Sequence, residues 1–517
     1  MDDIRKLNDS DFDLLLQNTL AELPPDDVAQ EVTPWRTAMK RILTGLGLTS
    51  ITLNFLCLNY LLPAIGVLLM LLGFRALRQE NKWFRVCWHL ALFRAACCYP
   101  TLILNATIYQ TEFAGSPAAV LVSILSLAAT LAQMLCLWLA LRCTQNKAGL
   151  EPQAGGAVAM LFWYAALIPL SLIGNLGWII GILVVLAYAL MLRSLWTLTD
   201  ALDEAGYTVT PAPVRVNDST LTAAVTVSLL AGILCCYLFC RTYPADWQPF
   251  LQEKNAQTEE IRAQLESLGF PSYILDDLTT EDLLACRDAK RVVVDVEDFP
   301  MNHGREVVTT EPYSDYYDEN KDLRIITHIR TVYDQKELRV TGIGVELPGE
   351  REEWRIFHHF QWIIEPPFRG TEGILIWPAY QNGEGWHPGE GPSGQLLYSE
   401  NGKNFSCPFH SLESGSYTSS SLFFGEHTTQ SIRVGFSLPG RGENKRGYIS
   451  YTVKEAQDGW IIDSWFNYTH QQSPFQYPVC TAVSAGISVS PGEFAPFRTI
   501  QDALQFFPND NPLEPLN

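Results

Sequence analysis

The chain has 517 residues, 47% of them hydrophobic, and a formal net charge of −20. Residues 1–41 carry 5 basic and 9 acidic side chains, residues 42–241 carry 10 and 7, and residues 242–517 carry 21 and 40. The acidity therefore belongs almost wholly to the last part, which argues against nucleic acid or anionic lipid headgroups as its partner, because both would be repelled.

The N-terminal segment, residues 1–41, is acidic and lacks the apolar core of a cleavable signal peptide. Ser10–Leu23 has apolar residues near helical spacing and predicts a short amphipathic helix, which Pro24 and Pro25 end. This helix either docks a cytoplasmic partner or lies against the membrane. Thr33-Pro34-Trp35 predicts entry into the first span, with Trp35 at the membrane interface.

Residues 42–241 form a series of long apolar runs that predicts an α-helical membrane bundle of about seven spans. The predicted spans lie near residues 42–58, 61–77, 87–109, 118–141, 156–173, 177–192 and 221–240.

The stretch Ile42–Leu77 is too long for one perpendicular helix and barely long enough for two. Basic residues flank it on both sides, and such residues accumulate in the cytoplasm. A hairpin that turns near Asn59–Pro63, where Pro63 suits the break, keeps both groups inside. This predicts an N-terminus in the cytoplasm and a C-terminal domain outside. A six-span version with one long tilted first helix is the alternative.

Residues 242–290 carry helical signals and predict a helical stalk, whose second helix starts at Thr279 with a capping pattern. Residues 291–517 predict an extracytoplasmic, mostly antiparallel β domain of α+β type, as a sandwich or as a sheet packed on the stalk helices. One more helix is expected at Ile500–Phe507.

Ionisable residues inside a membrane are costly and are candidates for function. His89 and Arg94 lie on the third predicted span, and Asn105 follows eleven residues after Arg94 on the same face. Arg94 is a candidate for binding an anionic substrate or a lipid phosphate. The alternative is that His89 and Arg94 lie in the first turns of the helix and extend to the interface.

In the outer domain, Trp377, Tyr380 and Trp386 belong to an aromatic-rich stretch, and Trp386 stands in a glycine-rich loop where exposure is expected. They are candidates for a peptide or glycan platform, although strand aromatics more often build a core. His358 and His359 are adjacent on a predicted strand, so their side chains point to opposite faces and do not share a metal. The acidic stretch Glu311–Asp322 does not fit the ligand spacing of an EF-hand, and we expect it to be a solvated loop.

Neither catalytic motifs nor cofactor-binding motifs are found, and no metal site or cofactor is predicted. Of the 12 cysteines, nine lie in or beside apolar segments, which leaves Cys286, Cys407 and Cys480. Three cysteines permit at most one internal disulfide, so the outer domain is not a disulfide scaffold.

The segment from Leu20 to Pro25, the entry from Val32 to Arg36, the run Leu61–Phe74 and the stretch from Arg75 to Asn81 resemble uncharacterised multi-pass membrane proteins of Gram-positive bacteria. The resemblance covers about the first hundred residues. It implies a bacterial plasma membrane location and no particular activity.

Two functions follow as expectations. The first is a non-enzymatic receptor-like or scaffold protein in the lipid bilayer, whose outer domain binds a peptide, glycan or protein ligand. The alternative is a membrane transporter or lipid-handling protein that uses the Arg94 face of the third span.

Overall fold

The computed structural model describes residues 34–50, 57–171, 177–207, 209, 212–301, 305–313, 324–332, 335–381, 385–421, 425–457, 459–474, 476–487 and 496–508. The chain divides into two compact units, Met1–Tyr237 and Leu238–Asn517. The predicted helix Ser10–Leu23 and most of the predicted acidic loop Glu311–Asp322 lie outside the described residues.

The first unit is helical, with seven long helices and one short one among its described residues. They are α1 Pro34–Ser50, α2 Leu58–Leu77, α3 Lys82–Leu104, α4 Gln110–Ala114, α5 Pro117–Lys147, α6 Gly155–Ser171, α7 Gly177–Glu204 and α8 Asp218–Phe239. Five of them, α2, α3, α5, α7 and α8, are long and apolar enough to cross a membrane. The helices α1 and α6 have 17 residues each and fall short of that length.

The two helices predicted in Ile42–Leu77 are present, but the turn predicted near Asn59–Pro63 comes earlier in the chain, because α2 already begins at Leu58 and Pro63 lies inside it. The helix starts after Cys57, whose φ of 59° is left-handed and whose carbonyl accepts hydrogen bonds from the backbone of Tyr60 and Leu61. Membrane helices tolerate an internal proline where other groups satisfy the backbone carbonyl that the proline leaves without a hydrogen bond. Trp35, expected at the membrane interface, is fully buried among protein side chains, with its ring against Phe84 and Tyr207.

Six of the long helices form a closed ring, in which α1 contacts α2, α2 contacts α3, α3 contacts α5, α5 contacts α6, α6 contacts α7, and α7 contacts α1. Ion pairs gather helix ends at one end of this ring. Asp218 at the start of α8 pairs with Arg41 of α1 at 2.5 Å and with Arg75 of α2 at 3.3 Å. At the same end, Lys147 of α5 lies 2.8 Å from Glu80. The same end also holds the ion pair between Arg36 near the start of α1 and Asp200 near the end of α7, 3.4 Å apart. The starts of α1 and α8 therefore lie beside the ends of α2, α5 and α7, so these helices run in alternating directions.

The second unit is built mostly from antiparallel strands. These are β1 Gln248–Pro249, β2 Arg291–Phe299, β3 Arg305–Tyr313, β4 Arg324–Val332, β5 Leu338–Glu346, β6 Glu353–Trp362, β7 Glu372–Trp377, β8 Trp386–Pro388, β9 Ser393–Glu400, β10 Lys403–Cys407, β11 Ser411–Ser421, β12 Gly425–Phe436, β13 Glu443–Glu455, β14 Ile462–Gln471 and β15 Phe497–Phe506. One sheet has the order β1-β10-β9-β13-β6-β5-β2, with β8 beside β13, a second has the order β11-β12-β7-β14-β15, and β3 pairs with β4.

The two large sheets share one hydrophobic core, which makes a sandwich. Ile356 and Phe360 of β6 and Ile376 of β7 contribute to it. The opposite face of the first sheet is covered by α9 Ala256–Ser267, α10 Ser272–Leu275 and α11 Thr280–Leu284. The helices of the predicted stalk segment therefore share a second core with the sheet, and the unit has three layers. A further short helix, α12 Ala482–Ile487, packs on β7.

The helix predicted at Ile500–Phe507 is wrong, because this segment is strand β15, paired with β14. Ile500, Leu504 and Phe506 are buried in the shared core. Their even spacing places them on one face of a strand, and a pairing partner distant in sequence decides between strand and helix.

Candidate functional site

Arg94 lies near the middle of α3. The side chain of Asn81 caps this helix by accepting hydrogen bonds from the backbone of Trp83 and Phe84, each at 3.0 Å. Because α3 begins at Lys82, Arg94 lies about 18 Å along the helix axis. Arg94 therefore lies about three turns into α3, further along the helix than the first turns in which the sequence reading placed it.

The Arg94 guanidinium contacts a neutral group. Its Nη1 donates a hydrogen bond of 2.7 Å to Oε1 of Gln133 on α5. Gln133 is fully buried, and its Nε2 donates to the carbonyl of Cys87 at 3.4 Å. A guanidinium has five N–H donors, so this contact uses a small share of them. Within the described part of the chain, no carboxylate forms an ion pair with Arg94.

Arg94 lines a cavity of about 590 Å³ inside the helical unit. Five of the ring helices supply polar groups to its wall, among them Thr49 of α1, Asn59 of α2, Asn105 at the end of α3, Ser123 and Ser126 of α5, and Tyr164 of α6. The apolar side chains of Val67, Leu102 and Leu127 complete part of the lining. The wall combines one cation with uncharged polar and apolar groups.

A hydrogen-bonded cluster supports one wall of the cavity. The hydroxyl of Ser50 on α1 lies 2.7 Å from the hydroxyl of Tyr164 and 2.8 Å from that of Tyr188 on α7. Tyr188 in turn donates to the carbonyl of Leu46 at 2.9 Å. These bonds join α1, α6 and α7, so they hold Tyr164 in place beside the cavity.

The structure brings together two of the three predicted membrane residues. Arg94 and Asn105 line the same cavity, as their spacing along one helix face predicts. Asn105 is the C-terminal cap of α3, about 17 Å along the axis from Arg94. His89 is exposed on the outside of α3, with its ring against that of Trp88, and is not part of the cavity wall.

The three aromatic candidates of the outer domain do not form an exposed platform. Trp386, expected to be exposed, is 1% exposed, and its Nε1 donates to the carbonyl of Ile461 at 3.1 Å. Tyr380 is buried with its ring edge against Tyr451. Trp377 is partly buried on β7. The expected exposure of Trp386 is therefore wrong, because its loop folds back onto β13 through β8.

The prediction that His358 and His359 point to opposite faces of a strand is confirmed. Nε2 of His358 lies 2.7 Å from the hydroxyl of Ser464 in the other sheet, and Nε2 of His359 lies 3.1 Å from Asp277 on the helical side. Burial lowers the pKa of His358 to about 3, so this imidazole is neutral. Both Ser464 and His358 are enclosed in the core, where no substrate reaches them. Among the described residues, no cluster of metal-binding side chains is present.

Gln133 and Tyr164 are site residues that the sequence reading missed. Gln133 is the only amide side chain in the apolar run of residues 117–141. Because polar groups in a membrane are costly, that isolated amide is a signal that could have been used. Tyr164 carries no such signal, since tyrosine is common at membrane interfaces.

The chain was also compared with protein families and with curated proteins. No protein family matches the chain. No curated protein matches it with significant similarity.

Proposed function

We propose that this protein is a multi-pass membrane protein that binds an anionic amphiphile in the Arg94 cavity, as a transporter or a lipid-handling protein does. The observation that carries the proposal is the Arg94 guanidinium at mid-helix, which contacts the neutral Gln133 and no described carboxylate. A buried cation without a counter-charge is costly. An anionic ligand group beside Arg94 removes that cost.

The cavity limits the class of ligand. Its volume of about 590 Å³ suits a small molecule, and ligand sites of this size commonly lie between the helices of a bundle. The amides of Asn59 and Asn105 and nearby hydroxyls offer hydrogen bonds, while Val67 and Leu102 offer apolar contact. A carboxylate or phosphate joined to an apolar chain matches this combination of groups.

We also propose seven spans, with the N-terminus in the cytoplasm of a plasma membrane and the second unit outside. The alternating helix directions support this topology, since α1 and α6 then cross like the five longer helices. One end of the ring carries Arg36, Arg41, Arg75 and Lys147. Because positive side chains accumulate on the cytoplasmic side of membrane proteins, the proposed topology has this end of the ring facing the cytoplasm.

The receptor-like or scaffold function, with a peptide, glycan or protein ligand on the outer domain, stays a prediction. Its support is the large domain that follows α8, the last candidate span. Tyr380 and Trp386 do not support this ligand-binding function, because their side chains are buried in the core.

The proposed site is tested with the purified full chain in phosphatidylcholine nanodiscs. Oleate and oleyl alcohol serve as matched probes that differ in charge, and the thermal unfolding midpoint is measured with each. We expect oleate to raise the midpoint of the wild-type protein and oleyl alcohol to leave it unchanged, since ligand that binds only the folded state stabilises it. Arg94→Lys keeps the charge and should retain part of the oleate effect.

Two variants remove the site in different ways. Arg94→Gln deletes the cation, and Gln133→Glu keeps Arg94 but gives it an internal counter-charge that competes with the ligand. Both should lose the oleate shift. Arg85→Gln, an exposed arginine on the same helix, is the control and should keep it. An equal oleate shift in wild type, Arg94→Gln and Gln133→Glu would contradict the proposal.

A further inference from the structure

A second cavity of the first unit, of about 440 Å³, lies where α5 ends. Its wall is formed by the last turn of α5, the loop of residues 148–154 and the C-terminal half of α7. The lining side chains include Gln145, Leu150, Glu151, Ser194, Thr197 and Leu198. This Gln145 cavity shares no lining residue with the Arg94 cavity, and Gln145 lies about 22 Å along α5 from Thr130, the last residue of α5 that lines the Arg94 cavity.

The way in which α5 ends brings the following loop to the cavity. Gly149 has a left-handed φ of 71°, and its backbone N–H donates to the carbonyl of Asn146 at 3.3 Å. The backbone N–H of Leu150 donates to the carbonyl of Gln145 at 3.0 Å. These two bonds form the Schellman motif, which commonly ends a helix at a glycine. They satisfy the backbone carbonyl of Gln145 and turn the chain so that Leu150 and Glu151 join the wall.

The side-chain amide of Gln145 is the feature that points to a ligand. Gln145 is 5% exposed, and its Oε1 is buried without a hydrogen-bond partner among the described residues. A buried polar atom without a partner destabilises a folded protein. A leucine of similar size would remove this cost. The amide is therefore best explained as one half of a contact with a molecule bound in the cavity.

The charge of the wall indicates the kind of ligand. Among the described residues that line the cavity, Glu151 is negative and none is positive. Glu151 is exposed, and its Oε2 accepts a hydrogen bond of 3.4 Å from Nε2 of Gln153. Lys147, two residues after Gln145, is not part of the wall and lies 2.8 Å from Glu80. A buried acceptor and a carboxylate together favour a cation that carries N–H donors.

Close packing of α6 on α7 holds the other side of the wall. A Cβ atom on Gly156 would lie 3.0 Å from Oγ of Ser194 and 3.1 Å from the carbonyl oxygen of Met191. The hydroxyl of Thr197 donates to the carbonyl of Arg193 at 3.2 Å, which leaves the lone pairs of its oxygen to accept hydrogen bonds. Ser194 and Thr197 are therefore held in place before a ligand binds, which lowers the cost of binding.

We propose that the Gln145 cavity binds a small alkylamine, whose ammonium group donates a hydrogen bond to Oε1 of Gln145. An ammonium group has three N–H donors and no acceptor, and its hydrogen bonds are about twice as strong as those between neutral groups. A volume of about 440 Å³ exceeds that of a single metal ion and leaves room for an alkyl chain against Leu150 and Leu198. The inference goes beyond the function proposed for the Arg94 cavity and does not depend on it.

The test uses the purified full chain in phosphatidylcholine nanodiscs at constant ionic strength. Putrescine and butanediol serve as matched probes of equal chain length that differ in charge, and isothermal titration calorimetry measures their binding. We expect putrescine to bind and butanediol not to bind. Gln145→Leu should weaken putrescine binding about tenfold, the value of one hydrogen bond to a charged group. Glu151→Gln should weaken it about two- to fivefold, because an exposed charge contributes less.

The thermal unfolding midpoint separates a ligand-binding role of Gln145 from a structural one. Gln145→Leu should raise the midpoint of the ligand-free protein, because it removes an unpaired buried amide. The same variant should lose the rise that putrescine gives the wild type. Asn146→Leu replaces the exposed amide next in the chain and is the matched control, which should leave both measurements unchanged. A lower midpoint of ligand-free Gln145→Leu would assign the amide to the fold and overturn the proposal.

A further variant keeps the test decisive if Gln145→Leu does not fold. Gln145→Glu places a carboxylate of the same size beside the ligand and should bind putrescine more tightly than the wild type does. Weaker binding in Gln145→Glu would contradict an ammonium ligand. Equal binding of putrescine and butanediol to the wild type, or unchanged putrescine binding in Gln145→Leu, also overturns the proposal.

Discussion

Arg94 and Gln133 are 39 residues apart in the chain, yet their side chains meet at 2.7 Å inside the helical unit. Each is recognisable in the sequence as a polar residue in an apolar run. Their pairing is not recognisable, because it depends on which helix lies beside α3 in the ring and on the rotation of both helices. The same holds for Ser50, Tyr164 and Tyr188, which come from three helices.

His358 gives a prediction about pH. Burial between Ser464 and Phe466 lowers its folded-state pKa to about 3 from the ordinary 6.5. As the pH falls, the imidazole of His358 takes up a proton in the unfolded chain before it does so in the folded protein. The contribution of His358 to the free energy of unfolding is therefore complete above pH 6.5. It is lost as the pH falls toward 3, by up to about 1.4 kcal/mol per pH unit. The variant His358→Gln should show a flatter loss of stability in this window.

The measurement is tryptophan-monitored unfolding of the full chain in denaturant at a series of pH values. Burial raises the pKa of Asp502 to about 6, which acts in the opposite direction. Asp502 is present in both proteins, so the difference between wild type and His358→Gln isolates the histidine. Parallel pH profiles would show that His358 is not the titrating group.

At the scale of elements, α1 and α2 pack through glycines. A Cβ atom on Gly66 would lie 2.7 Å from the carbonyl oxygen of Gly45, and one on Gly73 would lie 2.6 Å from Ile42. Small residues let apolar helices approach closely where no hydrophobic force drives them together. This contact explains how a helix of 17 residues is held firmly in the ring.

We therefore predict that Gly66→Ala lowers the free energy of unfolding by about 1–3 kcal/mol, the usual cost of overpacking. Gly181→Ala on α7 is the matched control, because no atom lies within 4 Å of the added Cβ, and it should be neutral or slightly stabilising. The check is the thermal unfolding midpoint of both variants in the same detergent. Equal midpoints would mean that α1 and α2 separate without cost.

Strand β6 is covered on both faces, by the second sheet and by the helices, and this burial changes the pattern of apolar residues in its sequence. Trp354, Ile356 and Phe360 face the second sheet, while Phe357 packs under the helices. A strand buried on both faces carries apolar residues at odd and even positions, so the alternation that marks a half-exposed strand is lost. This is why the aromatic density from Trp354 to Trp386 reflects a core in three layers and not a surface platform.

At the scale of the molecule, the proposed topology predicts the result of protease treatment of intact cells that express the full chain with a C-terminal epitope tag. Because an odd number of alternating spans places the termini on opposite sides, we expect the tag to be lost while a membrane-embedded remainder stays protected. Tags that survive until the cells are lysed would place the second unit in the cytoplasm. The number of spans, or the assignment of the positive end, would then have to change.

The sequence by itself determined the division of the molecule, since apolar runs long enough to cross a membrane and alternating β-rich segments are local patterns. It also placed Arg94 and Asn105 on one face, and it separated His358 from His359, because helix and strand periodicities are fixed. Only the tertiary structure decided what those side chains meet. The neutral partner of Arg94, the strand at Ile500 and the burial of Trp386 all depend on contacts between segments far apart in the chain, which no local pattern encodes.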